Sequence, residues 1–215
     1  MKIICIFPND ESTDFLLPIY DSLSTLDSFT GYRNLLEQGE IDLVIKDILS
    51  SESGSVIIFL GHGASHCIYR CDRTPLFDKH NFNIFQNKRI FLFSCRSSEF
   101  IKDNKNTHLI EYIGFGNMVT DIAEVLEERD VDSNAYPDID EGIIDAYKKI
   151  LVQILSLNLK GTLEQNISFR DLYFQIKLLL NKYIAKTLKE KKHSNYKALT
   201  DLLYYTKCDM IGSVI

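Results

Sequence analysis

Two short stretches decide the fold: Val56-Ile57-Ile58-Phe59-Leu60-Gly61-His62-Gly63 and Arg89-Ile90-Phe91-Leu92-Phe93-Ser94-Cys95. Each begins with a continuous apolar run of strand length, which is typical of a strand covered on both faces in a parallel sheet. Each then ends in a side chain able to do chemistry, His62 in one and Cys95 in the other. Parallel neighbouring strands would bring these two side chains together at the carboxyl edge of the sheet, where open α/β sheets bind their ligands.

The chain on either side of these stretches alternates between strand and helix patterns. Strands are predicted over residues 2–7 and 109–117, helices over 13–28, 32–49, 97–102 and 118–128, and irregular structure over 64–88. From residue 138 onward, apolar side chains recur only at helical spacing. The sequence therefore predicts an α/β fold, with a mostly parallel sheet flanked by helices and a helical C-terminal part.

Length and composition favour a single domain over residues 1–215. The chain has 215 residues, of which 45% are hydrophobic, and this is enough for one sizeable core. Within it we expect a catalytic α/β core over 1–135 and a mainly helical part over 138–206. A small separate helical subdomain remains an alternative, because the change in pattern at residue 138 is abrupt.

Charge and cysteine usage narrow the class of partner and the compartment. The net charge of -6 argues against direct binding of nucleic acid. No apolar run approaches the roughly 18 residues of a membrane span, and the first apolar run is too short for a signal peptide. Five cysteines without a framework pattern suit a reducing compartment. We therefore expect a cytoplasmic protein that contacts neither nucleic acid nor membrane.

A histidine beside a cysteine is the minimal equipment of a cysteine nucleophile with its base. The imidazole takes the thiol proton, and the thiolate attacks. A helix opening just after Cys95 would further favour the thiolate through its positive end. The backbone N–H groups of Gly63 and Cys95 are candidates for an oxyanion hole, because donors at that edge would meet the carbonyl oxygen under attack.

These residues resemble a known family. Leu60-Gly61-His62-Gly63 followed by Phe93-Ser94-Cys95 is similar to the His-Gly and Ser/Ala-Cys signatures of caspase-like cysteine peptidases (clan CD), most of all the prokaryotic CHAT branch alongside the metacaspases. The resemblance covers about residues 1–125 and continues more weakly to Leu180.

The resemblance implies a caspase-hemoglobinase fold and a cysteine endopeptidase without cofactor. His62 would be the general base and acid, Cys95 the nucleophile, and the amides of Gly63 and Cys95 the oxyanion hole. It further implies a protein or peptide substrate, and activation by a partner or sensor protein, as in prokaryotic defence or regulated proteolysis.

The chain departs from the caspase pattern at the residues that select the substrate. The position two before the nucleophile is Phe93 rather than the caspase glutamine, so cleavage after aspartate is not supported. In the family, the turn after the first strand helps to form the pocket for the residue before the scissile bond. That turn is Asn9-Asp10-Glu11 here. Asp10, with Asp121 as a second candidate, would suit lysine or arginine in the substrate.

Other functions remain open on the sequence alone. A catalytically silent caspase-like interaction module is the main alternative, with the basic stretch Lys186 to Lys197 as a docking patch or an ordinary solvated face. A nucleotide-binding domain is disfavoured, because Gly114-Phe115-Gly116-Asn117 lacks both a later glycine and the lysine of a phosphate loop.

We expect no metal site. His62, His66, Cys67 and Cys71 have metal-like spacing, but the chain offers no second paired cluster to close a structural zinc site. The aspartates in 130–132 and 138–140 lack the calcium-loop pattern and are interpreted as solvated loop charge.

Overall fold

A six-stranded sheet forms the middle layer of the molecule. The computed structural model describes residues 1–8, 10–104 and 106–213. Within these, the strands are β1 (Ile3–Phe7), β2 (Phe29–Arg33), β3 (Val56–Leu60), β4 (Cys67–Tyr69), β5 (Pro75–Asp78), β6 (Arg89–Phe93), β7 (Glu111–Gly114) and β8 (Ile211–Gly212). The sheet order is β2-β1-β3-β6-β7-β8, and β4 pairs separately with β5. All pairings in the large sheet are parallel except that of β7 with β8, so the predicted mostly parallel sheet is confirmed.

Helices cover both faces of the sheet. They are α1 (Leu17–Ser24), α2 (Gln38–Ser50), α3 (Ser97–Asp103), α4 (Ile122–Val131), α5 (Glu141–Glu164), α6 (Phe169–Glu190) and α7 (Tyr196–Asp209). A 3-10 turn at Asp14–Leu16 leads into α1, and another at Phe82–Phe85 precedes β6. The last three helices form the helical C-terminal part that the sequence predicts.

Alternation along the central strands divides the interior into two cores. Successive strand residues point to opposite faces, so Ile58 and Ile57 of β3 enter different cores. The first core packs the sheet against α1, α5, α6 and α7. The second packs it against α2, α3 and the β4–β5 hairpin. This burial on both faces explains why β1 and β3 are apolar at every position and β6 at every position after Arg89.

The C-terminal helices pack directly on the sheet that carries the candidate site. Tyr147 of α5 is fully buried, and its hydroxyl pairs with that of Thr206 on α7. After α7 the chain returns to the sheet, where β8 pairs with β7 through Ile113 and Gly212. None of the described helices is both long and apolar enough to cross a membrane.

The structure corrects the sequence prediction in three places. Residues 29–33 form the edge strand β2, so the helix expected from residue 32 begins only at Gln38, and the helix expected over 13–28 ends at Ser24. The segment 64–88, expected to be irregular, contains the β4–β5 hairpin. Strand β8 lies within a stretch whose pattern gave no strand. All three are short or only partly buried elements, so local periodicity carries little signal for them.

Candidate active site

The register of β3 and β6 places His62 and Cys95 at the same level of the sheet. Leu60 pairs with Phe93, so the two strands end together, and the Gly61 N–H donates to the Phe93 carbonyl at 3.1 Å. Each candidate residue then lies two positions beyond that last pair. The structure thus brings the two predicted residues to adjacent strand ends.

The two strand-end loops pack against each other through Gly63. A Cβ atom at this glycine would lie 2.6 Å from Ser94 Oγ and 2.9 Å from the Cys95 carbonyl oxygen. Contacts this short leave no room for a side chain. Glycine at position 63 is therefore what lets the His62 loop approach the Cys95 loop so closely.

The imidazole of His62 is held by the turn that follows β1. His62 is 8% exposed, and its Nε2 lies 2.9 Å from Asp10 Oδ2 and 3.0 Å from Ser12 Oγ. Asp10 is itself fixed, because its Oδ1 accepts hydrogen bonds from the backbone N–H groups of Ser12 and Thr13 and from the Ser12 hydroxyl. The turn therefore presents a rigid carboxylate to the histidine.

Burial and hydrogen bonding have opposite effects on the pKa of each member of the His62–Asp10 pair. Burial lowers the pKa of His62 below 6.5, and the Asp10 hydrogen bond only partly offsets it. For Asp10, burial alone would raise the pKa, but hydrogen bonds from Ser12 and His62, with the charge of Arg73 nearby, bring it to about 2. His62 is thus neutral and Asp10 ionised near neutral pH.

The ionised carboxylate decides which nitrogen of His62 is the base. An ionised carboxylate only accepts hydrogen bonds, so the neutral imidazole must carry its proton on Nε2 to bond with Asp10. No described residue forms a hydrogen bond with Nδ1, so its lone pair is available to accept a proton. This is the relation of an orienting carboxylate to a catalytic histidine.

Cys95 is held as a neutral thiol. Its Sγ donates to the Met118 carbonyl at 3.0 Å. Burial, with a smaller contribution from the Glu124 charge, raises the pKa of Cys95 to about 11. Helix α3 does open at Ser97, as the sequence predicts, but burial outweighs any stabilisation of the thiolate by it. Among the described residues, no hydrogen bond joins Cys95 to His62.

The predicted oxyanion donors have no carbonyl acceptor in the described structure. Gly63 forms an isolated antiparallel β-bridge with Ile68. The hydrogen bonds of this bridge are made by neighbouring residues: the Ala64 N–H donates to the Cys67 carbonyl, and the Tyr69 N–H donates to the His62 carbonyl. Neither the Gly63 N–H nor the Cys95 N–H donates to a carbonyl among the described residues, and the Cys95 N–H interacts only with the sulfur of its own residue. Both amides are therefore available to an incoming oxygen.

An acidic cleft opens beside Cys95, and we refer to it as the Cys95 cleft. It has a volume of about 640 Å³, and Gly63 and Cys95 form part of its wall. Four carboxylate side chains line it: Glu99, Glu124, Glu127 and Glu128. Among the described residues that line it, the one cation is Arg96, which is already paired with Glu99 at 2.9 Å. The cleft is thus an environment for positive charge.

The structure gives the two predicted substrate-binding aspartates different surroundings. Asp10 contacts His62 and does not line the Cys95 cleft; its neighbour Asn9 lies outside the described residues. Asp121 caps α4, where its Oδ1 accepts from the Ala123 N–H at 2.9 Å. Its charge acts on His62 at longer range.

Sequence analysis missed several residues of the site. Ser12 and Arg73 approach Asp10 from two different turns, with Arg73 Nε at 3.7 Å from Asp10 Oδ2. Glu124 lies near enough to Cys95 to raise the pKa of its thiol. The acid-rich run after residue 121 was the only signal for Glu124, and its local pattern fits a solvated helix equally well.

Nothing in the described chain points to a metal centre. No group of three or more His, Cys, Asp or Glu side chains able to hold a metal ion occurs among the described residues. Cys67 is buried in β4 next to Ile68 of the second core. Nε2 of His62 is occupied by Asp10, as described above.

Comparison with known proteins adds no assignment: no family model, curated protein or solved structure matches this chain.

Proposed function

We propose that this chain is a caspase-like cysteine endopeptidase, with Cys95 as nucleophile and His62 as general base and acid. The observation that carries the proposal is the pairing of His62 and Cys95 at adjacent strand ends, with the imidazole oriented by Asp10. A turn histidine with a merely structural role would not need a carboxylate fixed by its own turn on one nitrogen and an available lone pair on the other.

The reaction follows from the protonation states. Nδ1 of His62 takes the thiol proton as Cys95 Sγ attacks the substrate carbonyl carbon, and the oxyanion is held by the N–H groups of Gly63 and Cys95. His62 then gives the proton to the leaving amine, so the peptide C–N bond breaks and a thioester remains. Water, deprotonated by His62, hydrolyses the thioester and restores the thiol.

The resting geometry supports a latent enzyme. The thiol of Cys95 donates its proton to the Met118 carbonyl, so this hydrogen bond must break before the proton can pass to His62. With a pKa of about 11, the thiol is almost entirely protonated near pH 7. Substrate or an activating partner protein would supply that change. We place the protein in the cytoplasm, in the reducing environment that a catalytic thiol needs.

The acidic cleft supports a basic residue in the substrate. A lysine or arginine side chain beside Cys95 would meet carboxylates that have no cationic partner among the described residues, namely Glu124, Glu127 and Glu128. An acidic side chain would be repelled there. These charges support substrate selection by residues of α4 in addition to the predicted Asp10 and Asp121.

The test is cleavage of peptide amides that differ only in the residue before the scissile bond: lysine, leucine or aspartate. The wild type should cut the lysine peptide fastest, and Cys95→Ala and His62→Ala should be inactive. Cys208→Ala is the matched control, because Cys208 is an exposed cysteine far along the chain on α7, and it should retain full activity. Cleavage by Cys95→Ala would refute the assignment.

The same resting geometry also favours the second candidate, a catalytically silent interaction module. It rests on the thiol bonded to Met118 and on the lack of a described hydrogen bond between Cys95 and His62. Wild type that cuts no peptide, with or without lysate of the source cells as a source of activator, would favour this function over the enzyme.

A further inference from the structure

The outward face of α6 carries an apolar stripe with heptad spacing. Phe174, Leu178 and Leu188 are 48%, 69% and 44% exposed on the side opposite the first core. Together with exposed Asn181 and Ala185 they recur at intervals of four, three, four and three residues. We call these five residues, Phe174, Leu178, Asn181, Ala185 and Leu188, the α6 seam.

The width of the seam indicates what kind of surface it fits. Intervals that average about 3.5 residues place side chains in one narrow line, which is the contact line of two packed helices. A helix that lies on a membrane needs a broader apolar face. Here the line is interrupted at its centre by Asn181, whose Oδ1 accepts from Lys207 Nζ at 3.0 Å.

Basic side chains flank the seam on both sides. Helix α6 contains five basic and two acidic residues, in a chain whose net charge is -6. Both acids are already engaged: Asp171 accepts from Ser168 Oγ at the helix start, and Glu190 pairs with Lys192. The seam is thus an exposed apolar line with a positive border. Exposed Lys182 and Lys189 form one side of it, and half-buried Lys177, whose Nζ donates to the Tyr173 hydroxyl at 2.6 Å, forms the other.

We propose that the α6 seam is the docking surface for an acidic amphipathic helix of a partner protein. Leucine-like side chains of that helix would pack between Phe174, Leu178 and Leu188, while its glutamates face the bordering lysines. A second copy of this chain fits poorly, because pairing two α6 seams would bring like charges together along their length. The inference concerns recognition only and stands independently of the peptidase chemistry.

A designed probe tests the charge and shape of the occupant. The probe is a labelled peptide of about three heptads, with leucine at positions a and d and glutamate at e and g. Its matched control carries lysine at e and g. By fluorescence anisotropy, the full-length protein should bind the glutamate peptide at least about tenfold tighter than the lysine peptide.

Two variants locate the binding on the protein. Leu178→Ser should weaken binding of the glutamate peptide by at least about tenfold, since it removes the most exposed apolar side chain of the seam. Leu157→Ser is the matched control, because Leu157 is 74% exposed on α5 and outside the seam, and it should leave binding unchanged. Circular dichroism confirms that both variants are folded.

Four results would overturn the proposal. The first is that neither peptide binds saturably, and the second is that both bind equally well. The third is that Leu157→Ser loses as much binding as Leu178→Ser. The fourth is that the α6 seam binds something other than an acidic helix of a partner protein. The last is tested by sedimentation. Self-association of the wild type that Leu178→Ser abolishes would assign the seam to a second copy. Co-sedimentation with vesicles of phosphatidylcholine and phosphatidylserine, lost in the same variant, would assign it to a membrane.

Discussion

At the scale of single residues, Asp10 is the group that makes His62 a candidate base. Its ionised carboxylate fixes the proton on Nε2 and leaves Nδ1 free, and its charge partly offsets the effect of burial on the pKa of His62. Since burial lowers the pKa of His62 and raises that of Cys95, the resting pair is neutral. Catalysis would then start by general-base transfer rather than from a preformed ion pair.

Replacing Asp10 by asparagine should slow the reaction and move its pH dependence. We expect kcat to fall by roughly 10²- to 10⁴-fold, because the preferred tautomer of His62 is lost. The acidic limb of kcat/KM reports protonation of His62. It should lie below pH 6.5 in the wild type and shift to lower pH in Asp10→Asn, since Asp10 raises the pKa of His62. A pH–rate profile checks this.

Asp201→Asn, an exposed change on α7, is the control and should leave that profile unaltered. In Asp10→Asn, a shift of the acidic limb of kcat/KM to higher pH would contradict the orienting role. So would an acidic limb and a kcat that are both unchanged from the wild type.

Cys95 should be the slower of two cysteines to react in the resting protein. Because the pKa of Cys95 is raised to about 11, its thiolate is scarce at pH 8, whereas Cys208 is exposed to reagent. Iodoacetamide labelling followed by peptide mass spectrometry should therefore modify Cys208 first. The Cys95 rate should keep rising with pH up to at least pH 10. Prior labelling of Cys95 at pH 7 would indicate that the thiolate is already formed.

At the scale of elements, the close contact of the β3 and β6 loops depends on Gly63. Gly63→Ala should destabilise the fold by about 1–3 kcal/mol and abolish activity, because the new methyl group would meet the Cys95 carbonyl, which is backbone and cannot swing aside. Thermal unfolding and peptide cleavage measure the two effects.

Gly39→Ala provides the matched control for that substitution. Gly39 lies in the first turn of α2 with nothing within 4 Å of its added Cβ, so alanine there should stabilise by about 0.5–1 kcal/mol without loss of activity. A Gly63→Ala protein as active as the Gly39→Ala protein would show that the loops need not approach as closely as the structure has them.

The sequence predicts the central elements well for a physical reason. Strands β1, β3 and β6 are buried on both faces, so every position after Arg89 at the start of β6 is apolar, as is every position of β1 and β3, and each run is recognisable from the sequence alone. His62 and Cys95 are found by the same reasoning, since each lies two residues after such a run. Edge strand β2, with the sequence Phe-Thr-Gly-Tyr-Arg, is only partly buried and carries no such signal.

The role of Asp10 could not be predicted because it depends on a contact across the fold. Asp10 and His62 are 52 positions apart, and only the pairing of β1 with β3 brings their loops together. A turn aspartate has the same local sequence whether it faces a histidine, a substrate or water. The acidic lining of the Cys95 cleft likewise becomes visible only once α4 is placed beside β6.

At the scale of the whole molecule, the C-terminal helices complete the core of the α/β part. Residues of β3 and β6 such as Ile58 and Phe91 share one buried core with Tyr147 of α5 and Leu172 of α6. Because β8 also pairs with β7, the end of the chain contributes to the sheet itself. Without the last third of the chain, α1 would be left to cover only part of this face of the sheet.

A fragment of residues 1–135 should therefore not fold by itself. We expect no cooperative thermal transition and strong binding of a hydrophobic dye, since an apolar sheet face of this kind promotes aggregation when uncovered. Circular dichroism and dye fluorescence, with the full chain as reference, check the expectation. A cooperative transition in the fragment would instead support a separate helical subdomain.

The most direct test of the central claim is whether a substrate-like electrophile is captured by Cys95. A peptidyl acyloxymethyl ketone with lysine next to the ketone should form one covalent adduct, located on Cys95 by mass spectrometry. The adduct should form more slowly with the aspartate analogue, be absent in His62→Ala and persist in Cys208→Ala. Labelling of Cys95 at the same rate in His62→Ala would contradict the account, as would a wild type in which only Cys208 reacts.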